Sequence, residues 1–184
     1  MKTLILVALD SEFSLRDEPD MRVIYTGIGK INASYHALKG ILDFKPELVI
    51  NVGTAGSVNP QIVSGIHVVK SVIERDINAY PLAPRGVVPF DKHSSEITSD
   101  IGTVKVASGD SFVTEVDPWL MDNGVDLVDM ELFAIAKVSE KMEVPWRSLK
   151  VVSDAANSDA HQDWQKSLKS ASEIIRDNLK FLMK

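Results

Sequence analysis

Short apolar runs alternate with segments of helical spacing along the whole chain. Such runs, bounded by glycine, proline and charged residues, are typical of β-strands, and continuous ones are typical of strands covered on both faces. The first of them reads LILVAL and has no polar position. The pattern predicts strands at residues 4–9, 21–26, 48–52, 67–73, 104–107, 126–128 and 146–152.

Three segments have the spacing of helices. They are residues 30–44, residues 130–142 and a segment from residue 159 onward. The second segment, residues 130–142, is apolar on most sides, which predicts a buried helix. The third begins at Asp159, with a glutamine three residues later in the pattern of a capping box, and has a clean amphipathic stripe. The first, residues 30–44, stops before Pro46, and its apolar positions are Ile31, Tyr35, Leu38 and Leu42.

Strands that alternate with helices predict an α/β fold. We expect a single domain over residues 1–184, with a mixed, largely parallel central sheet flanked by helices. The length agrees, because 184 residues correspond to about one domain. Residues 80–102 are the least regular part and predict a long loop rather than a domain boundary.

Composition excludes several classes of function. Acidic residues outnumber basic ones by 26 to 20, so the surface lacks the basic excess of a nucleic-acid-binding protein. The absence of cysteine excludes a disulfide framework, cysteine-ligated zinc and a thiol nucleophile. No apolar run approaches the roughly 20 residues of a membrane span, and the first run meets Asp10 and Glu12 at once, unlike a secretory leader. We expect a cytoplasmic protein that binds neither nucleic acid nor membrane.

Polar groups follow four of the predicted strands. Ligands of open α/β sheets bind beyond the carboxyl ends of the strands. Three carboxylates, those of Glu12, Glu131 and Asp154, stand at such positions, and we expect them to converge on one pocket. Taken singly, each is equally open to another interpretation, as a helix N-cap or a first-turn acid.

Other candidate sites are weaker. Gly27 and Gly29 are followed by Lys-Ile-Asn, so they lack the remaining residues of a dinucleotide or phosphate-loop fingerprint. The acids around His161 open a helix, where acids are expected, so no metal is predicted there. Phe112 follows a strand, where an aromatic ring can stack on a flat ligand, whereas the three tryptophans are predicted to lie in the core or an interface.

Taken together and in order, six segments resemble the nucleoside phosphorylase and nucleosidase family, and most of all its 5'-methylthioadenosine/S-adenosylhomocysteine nucleosidases. The Met-Glu pair before a helix, combined with the later Ser-Asp pair, is the most specific part of the resemblance. The segments are ALDSEF (8–13), TGIGKINA (26–33), NVGTAGS (51–57), SGDSFV (108–113), VDMELFAIAKV (128–138) and VVSDAAN (151–157).

The resemblance implies a phosphorylase/hydrolase-like fold and cleavage of the N-glycosidic bond of a small purine nucleoside to adenine and a thioribose, with water as nucleophile. It implies a homodimer and no cofactor. Asp154 would donate a proton to N7 of the purine, and Glu12 would activate the water. The substrate-binding residues would be Glu131 on the ribose hydroxyls, Met130 beside the sugar, Phe112 and Val113 on the base, Thr54, Ala55 and Gly56 in a loop on the water side, and Ser153.

Two alternatives stay open at this point. One is a phosphorylase or a nucleosidase for another nucleoside, and the other is a non-catalytic nucleoside-binding relative. Residues 49–60 contain no arginine, and the acids after the first strand would repel phosphate, which favours hydrolysis, although Arg75 is a candidate phosphate ligand. The region 90–104 is shorter than in the family, which leaves the 5' substituent undefined.

Overall fold

The computed structural model describes residues 1–183, apart from the side chain of Lys169. Strands and helices alternate through most of this part of the chain. The strands are β1 (Thr3–Val7), β2 (Met21–Tyr25), β3 (Leu48–Ser57), β4 (Ile66–Glu74), β5 (Glu96–Thr98), β6 (Val104–Ser108), β7 (Leu127–Asp129) and β8 (Trp146–Asp154). The helices are α1 (Lys30–Phe44), α2 (Pro118–Asp122), α3 (Leu132–Lys141) and α4 (Ala160–Leu182).

The strands form one sheet that closes on itself. They follow the order β2-β1-β3-β7-β6-β4-β5, and β8 pairs with both β3 and β4, so that β3, β7, β6, β4 and β8 make a ring. Over the described residues the ladders β3–β7, β4–β5 and β4–β8 are antiparallel and the other five are parallel. The α/β fold with a mixed sheet is confirmed, whereas a largely parallel sheet is not.

Both faces of the sheet are covered. Because side chains alternate along a strand, Leu4 and Leu6 of β1 face α1 and α3, while Ile5 and Val7 face α4. Trp146 lies in the first of these two cores, as predicted for a tryptophan. Helix α3 is buried along most of its length, also as predicted. Within the described chain, no helix combines the length and apolar character that crossing a bilayer requires.

Helix α1 has the predicted bounds, but the four apolar residues that gave it its helical spacing are exposed rather than packed on the sheet. The face that packs on the sheet consists of Ile41 and the small residues Ala33, Ala37 and Gly40, and at Gly40 an added Cβ would lie 2.8 Å from a methyl carbon of Leu4. The four side chains of the helical pattern are therefore left at the surface. The exposed fractions are 83% for Ile31, 61% for Tyr35, 42% for Leu38 and 55% for Leu42.

Several local predictions were wrong. Residues 53–56, expected in a loop, belong to β3, because they pair with β8 as far as a bulge between Ala55 and Gly56. Asp159 precedes α4, but its side chain makes no capping hydrogen bond. The short elements β5 and α2 were not predicted, since neither has enough residues to show a period.

Candidate active site

A cavity of about 270 Å³ opens where β1, β6, β7 and β8 end, beside the last residues of β3. The three carboxylates expected to converge all line it. So do the other seven residues assigned from the resemblance, and their individual roles stay predictions. These seven are Met130, Phe112, Val113, Thr54, Ala55, Gly56 and Ser153.

Glu12 is held on the wall of the cavity by backbone and hydroxyl groups. The turn after β1 places its carboxylate against β3, where Thr54 donates to Oε1 from its amide at 3.1 Å and from its hydroxyl at 2.6 Å. The amide of Leu9 donates to Oε2 at 3.3 Å. The carboxylate also packs against Gly53 of β3, where an added Cβ would be in ordinary van der Waals contact with Oε1 at 3.5 Å. Glu12 is therefore fixed in orientation, and Oε2 keeps the greater capacity to accept a further hydrogen bond.

Asp129, rather than Glu131, caps α3. Its Oδ2 accepts the amide hydrogen of Leu132 at 3.0 Å, as an N-cap carboxylate does. The Glu131 side chain makes no capping bond, and its Oε1 instead accepts the amide hydrogen of Gly29 at 2.9 Å. The capping interpretation is thus wrong for Glu131. Its carboxylate lines the cavity and is held there by Gly29, which belongs to the loop before α1.

A buried lysine lies beneath these acids. Lys150, on β8, places Nζ 2.7 Å from Oδ2 of Asp129, and both side chains are at most 2% exposed. Burial acts to lower the pKa of Lys150, but the charges of Asp129, Glu131 and Glu12 outweigh it and raise that pKa. A positive charge is therefore buried behind Asp129, one of the acids that line the cavity.

Burial also shifts the titration of two cavity acids. It raises the pKa of Glu131 to about 7, with the neighbouring charge of Asp129 adding to the effect. It raises the pKa of Asp154, although hydrogen bonds from the Ser153 hydroxyl at 2.7 Å and the Ala156 amide at 3.0 Å act to lower it. Asp154 also fills the space above Gly56, where a Cβ would lie 2.7 Å from Oδ1. Both acids are biased toward the protonated form.

The raised pKa of Glu131 makes its charge unfavourable to folding. A carboxyl whose folded pKa exceeds its unfolded value stabilises the folded state at low pH, and this contribution is lost as pH rises from about 4.5 to about 7. We expect Glu131→Gln to raise the free energy of unfolding by about 1–3 kcal/mol at pH 8 and to have little effect at pH 4.5. Urea unfolding at both pH values measures this. Glu173→Gln, on the exposed side of α4, is the control, and equal stability of Glu131→Gln and the parent at pH 8 would contradict the expectation.

The sequence is similar to a family of known proteins. A sequence model of the phosphorylase superfamily matches residues 14–181. The chain belongs to the phosphorylase superfamily. A 5'-methylthioadenosine/S-adenosylhomocysteine nucleosidase from Staphylococcus haemolyticus is 30% identical in an alignment that covers 85% of this chain and 80% of that protein.

Solved structures show the same phosphorylase-superfamily fold. S-adenosylhomocysteine nucleosidase from Streptococcus pyogenes, in complex with 5-methylthiotubericidin, superposes with a TM-score of 0.85 at 20% identity, over 97% of this chain and 94% of that one. Futalosine hydrolase from Helicobacter pylori superposes with a TM-score of 0.84 at 22% identity, over 95% and 94% of the two chains. The chain therefore has the α/β nucleoside phosphorylase/nucleosidase fold.

The sequence of this phosphorylase-superfamily chain did not predict that His161 and Trp164 line the cavity. His161 and Trp164, from the first turns of α4, meet the ring of Phe112 edge to face, with centroids 6.1 and 6.4 Å away. Trp164 was predicted to be core or interface, and His161 was considered only as a metal ligand. The informative signal is their position, because a helix that begins soon after β8 starts at the same edge of the sheet as the cavity.

Arg75 has a structural role in this superfamily fold, because it binds the loop after β6. Its guanidinium donates to the carbonyl oxygen of Gly109 at 3.1 Å, to the Ser111 hydroxyl at 3.0 Å and to the Ser111 carbonyl oxygen. It thereby holds the loop that carries Phe112 and Val113 into the cavity. These bonds occupy donors on both terminal nitrogens of Arg75, while its buried Nε has no hydrogen-bond partner among the described residues.

Proposed function

We propose that this chain is an N-glycosidic bond hydrolase for purine nucleosides, with 5'-methylthioadenosine and S-adenosylhomocysteine as its substrates and adenine and the thioribose as products. The observation that carries the proposal is the convergence of Glu12, Glu131 and Asp154 on one cavity of a single nucleosidase-like domain. The name of the Staphylococcus haemolyticus relative supports the choice of nucleoside.

The chemistry of the cavity suits this reaction. Cleavage of the bond builds positive charge on the ribose and negative charge on the departing base. Asp154, biased toward its protonated form by burial, is assigned the proton transfer to N7 of the purine. Glu131 and Glu12 are assigned to the ribose side, where the ionised form of either group stabilises an oxocarbenium-like transition state and Glu12 orients the attacking water.

The remaining cavity residues provide binding surfaces in this proposal. Phe112 offers a ring for stacking on the base, and the backbone of Val113 reads the edge of the base. Met130 packs beside the sugar. Residues of β3 line the water and ribose side of the cavity, and Ser153 lies next to the acid Asp154. The β3 residues are Thr54, Ala55 and Gly56.

Charge supports water rather than phosphate as the nucleophile. A phosphate dianion entering this cavity would face the carboxylate of Glu12, whereas Asp154 in its acid role is protonated and contributes no repulsion. The one arginine on the described lining, Arg75, is committed to the loop at 109–111. A neutral water molecule meets no such repulsion.

Base release with and without phosphate tests the proposal. The purified chain is incubated with methylthioadenosine, adenosylhomocysteine, adenosine, inosine and futalosine, and the free base is quantified by chromatography. We expect release of adenine from the two thio-nucleosides without phosphate. Strict phosphate dependence would refute hydrolysis, release from futalosine alone would change the substrate, and no release from any nucleoside would support a binding protein.

We also propose that the chain works as a cytoplasmic homodimer. The exposed apolar residues of α1 begin with Ile31, three residues after Ile28, which lines the cavity, so a second copy seated on α1 would cover apolar surface that starts next to the site. We expect the double variant Ile31→Glu, Tyr35→Glu to halve the molar mass measured by light scattering. Lys39→Gln, on the same helix, should leave the mass unchanged, and a monomeric parent would contradict the proposal.

A further inference from the structure

Trp164 reaches across the cavity to the wall that holds Glu12. Its indole Nε1 lies 2.9 Å from Oγ1 of Thr54. The same hydroxyl oxygen lies 2.6 Å from Oε1 of Glu12. Two successive hydrogen bonds therefore connect the beginning of α4 with the carboxylate that follows β1, and Thr54 on β3 is the middle member.

The direction of these bonds is fixed by the groups that make them. An indole N–H can only donate, and an ionised carboxylate can only accept. The hydroxyl of Thr54 must therefore accept from Trp164 and give its own hydrogen to Glu12. Successive bonds of one direction polarise each other, so the indole strengthens the bond from Thr54 to the carboxylate.

This arrangement makes the two oxygens of Glu12 unequal. Oε1 accepts both the amide and the hydroxyl hydrogen of Thr54, while Oε2 accepts one bond at 3.3 Å from Leu9. Glu12 is 5% exposed, so its carboxylate has few other partners to turn toward. Oε2 is the oxygen left to face a bound water.

We propose that Trp164 is a positioning residue for hydrolysis: through Thr54 it locks the Glu12 carboxylate with Oε2 toward the attacking water. This rests on the proposed function, in which Glu12 orients that water. Because Trp164 comes from α4, the alignment of Glu12 depends on the first turns of that helix being seated over the cavity. The indole therefore has two functions, one through its ring against Phe112 and one through its N–H.

Kinetics of matched variants separate these two functions. Trp164→Phe keeps an aromatic ring and removes the N–H, and we expect kcat to fall about 5- to 20-fold while KM stays within about twofold. Thr54→Val should lower kcat at least as much, and Thr54→Ser, which restores the hydroxyl, should recover most of it. The double variant Trp164→Phe, Thr54→Val should be no slower than Thr54→Val alone, because both changes break one relay. Trp119→Phe, outside the cavity lining, should keep kcat and KM within about twofold of the parent.

A rise in KM at unchanged kcat for Trp164→Phe would overturn the proposal and leave Trp164 a covering ring only. Multiplicative effects in the double variant would overturn it as well. The indole N–H signals in a ¹⁵N NMR spectrum give a readout that needs no activity, since Thr54→Val should shift the Trp164 signal and leave those of Trp119 and Trp146 in place. A shift in a chain that releases no base would refute the proposed function alone, whereas base release without a shift would refute the relay alone.

Discussion

Asp154→Asn is expected to lower kcat for adenine release by about 10²- to 10⁴-fold, the range that general acid catalysis contributes. The amide is nearly isosteric with the carboxyl group, and its oxygen can accept the bond that the Ala156 amide gives to Oδ1. The fold and the shape of the cavity are therefore kept, while the proton for the departing base is lost. Base release under saturating nucleoside measures the effect.

The raised pKa of Asp154 gives this prediction a pH dependence. The active form of a general acid is protonated, so kcat/KM in the parent should fall as pH rises through that raised pKa, and Asp154→Asn should lose this alkaline limb. Asp10→Asn, at an exposed acid two residues before Glu12, is the control and should keep both the rate and the limb. Turnover of Asp154→Asn within threefold of the parent would remove Asp154 from the mechanism.

Lys150→Met is expected to lower the free energy of unfolding by about 3–5 kcal/mol at pH 8, as removal of one partner of a buried ion pair does. The variant would leave Asp129 charged, at most 2% exposed and without its counterion. Because Asp129 also caps α3 and accepts the Ser108 hydroxyl at 2.5 Å, it cannot turn to solvent without breaking these bonds. Urea denaturation with a linear extrapolation measures the change.

Two further variants show whether the loss comes from the orphaned charge. Lys150→Met combined with Asp129→Asn should recover part of the stability, because no charged partner is then left unpaired. Lys39→Met, which breaks an exposed ion pair with Asp43 on α1, should leave the unfolding midpoint unchanged. A Lys150→Met protein as stable as the parent would mean that water solvates Asp129 in the variant and that the ion pair of Lys150 with Asp129 contributes little to the free energy of unfolding.

The hydrophobic pattern of the sequence was sufficient to predict the elements that are buried on most sides. The run at 4–9 predicted β1 because every position in that strand is covered, and the spacing in 130–142 predicted a buried α3 for the same reason. The convergence of three acids followed from chain connectivity, since acids placed after strands meet at the edge of the sheet where those strands end. These features depend on local sequence and on one topological rule.

What the sequence did not reveal depends on partners distant in the chain. The apolar spacing in α1 predicted a helix but not which face packs: the helix packs through Ile41 and small residues around Gly40, where Leu4 and Ile24 approach closely. Asp129 and Glu131 are two residues apart, and the local sequence does not show which of them caps α3. The contacts made by distant residues distinguish them, since Gly29 binds Glu131 and Lys150 binds Asp129. Hydrophobic spacing contains no information about such pairings.

The closed ring also constrains how the molecule is made. β8 is the last strand along the chain, yet it completes the ring by pairing with β3 and β4, both from the first half. While a ribosome is still adding residues before 146, those two strands have unpaired edges of the kind that bind other chains. The acid at Asp154 and the helix that covers the cavity emerge after that stage. A nascent chain must therefore protect an open sheet until about its last fifth is synthesised, and a fragment that ends before residue 146 lacks part of the site.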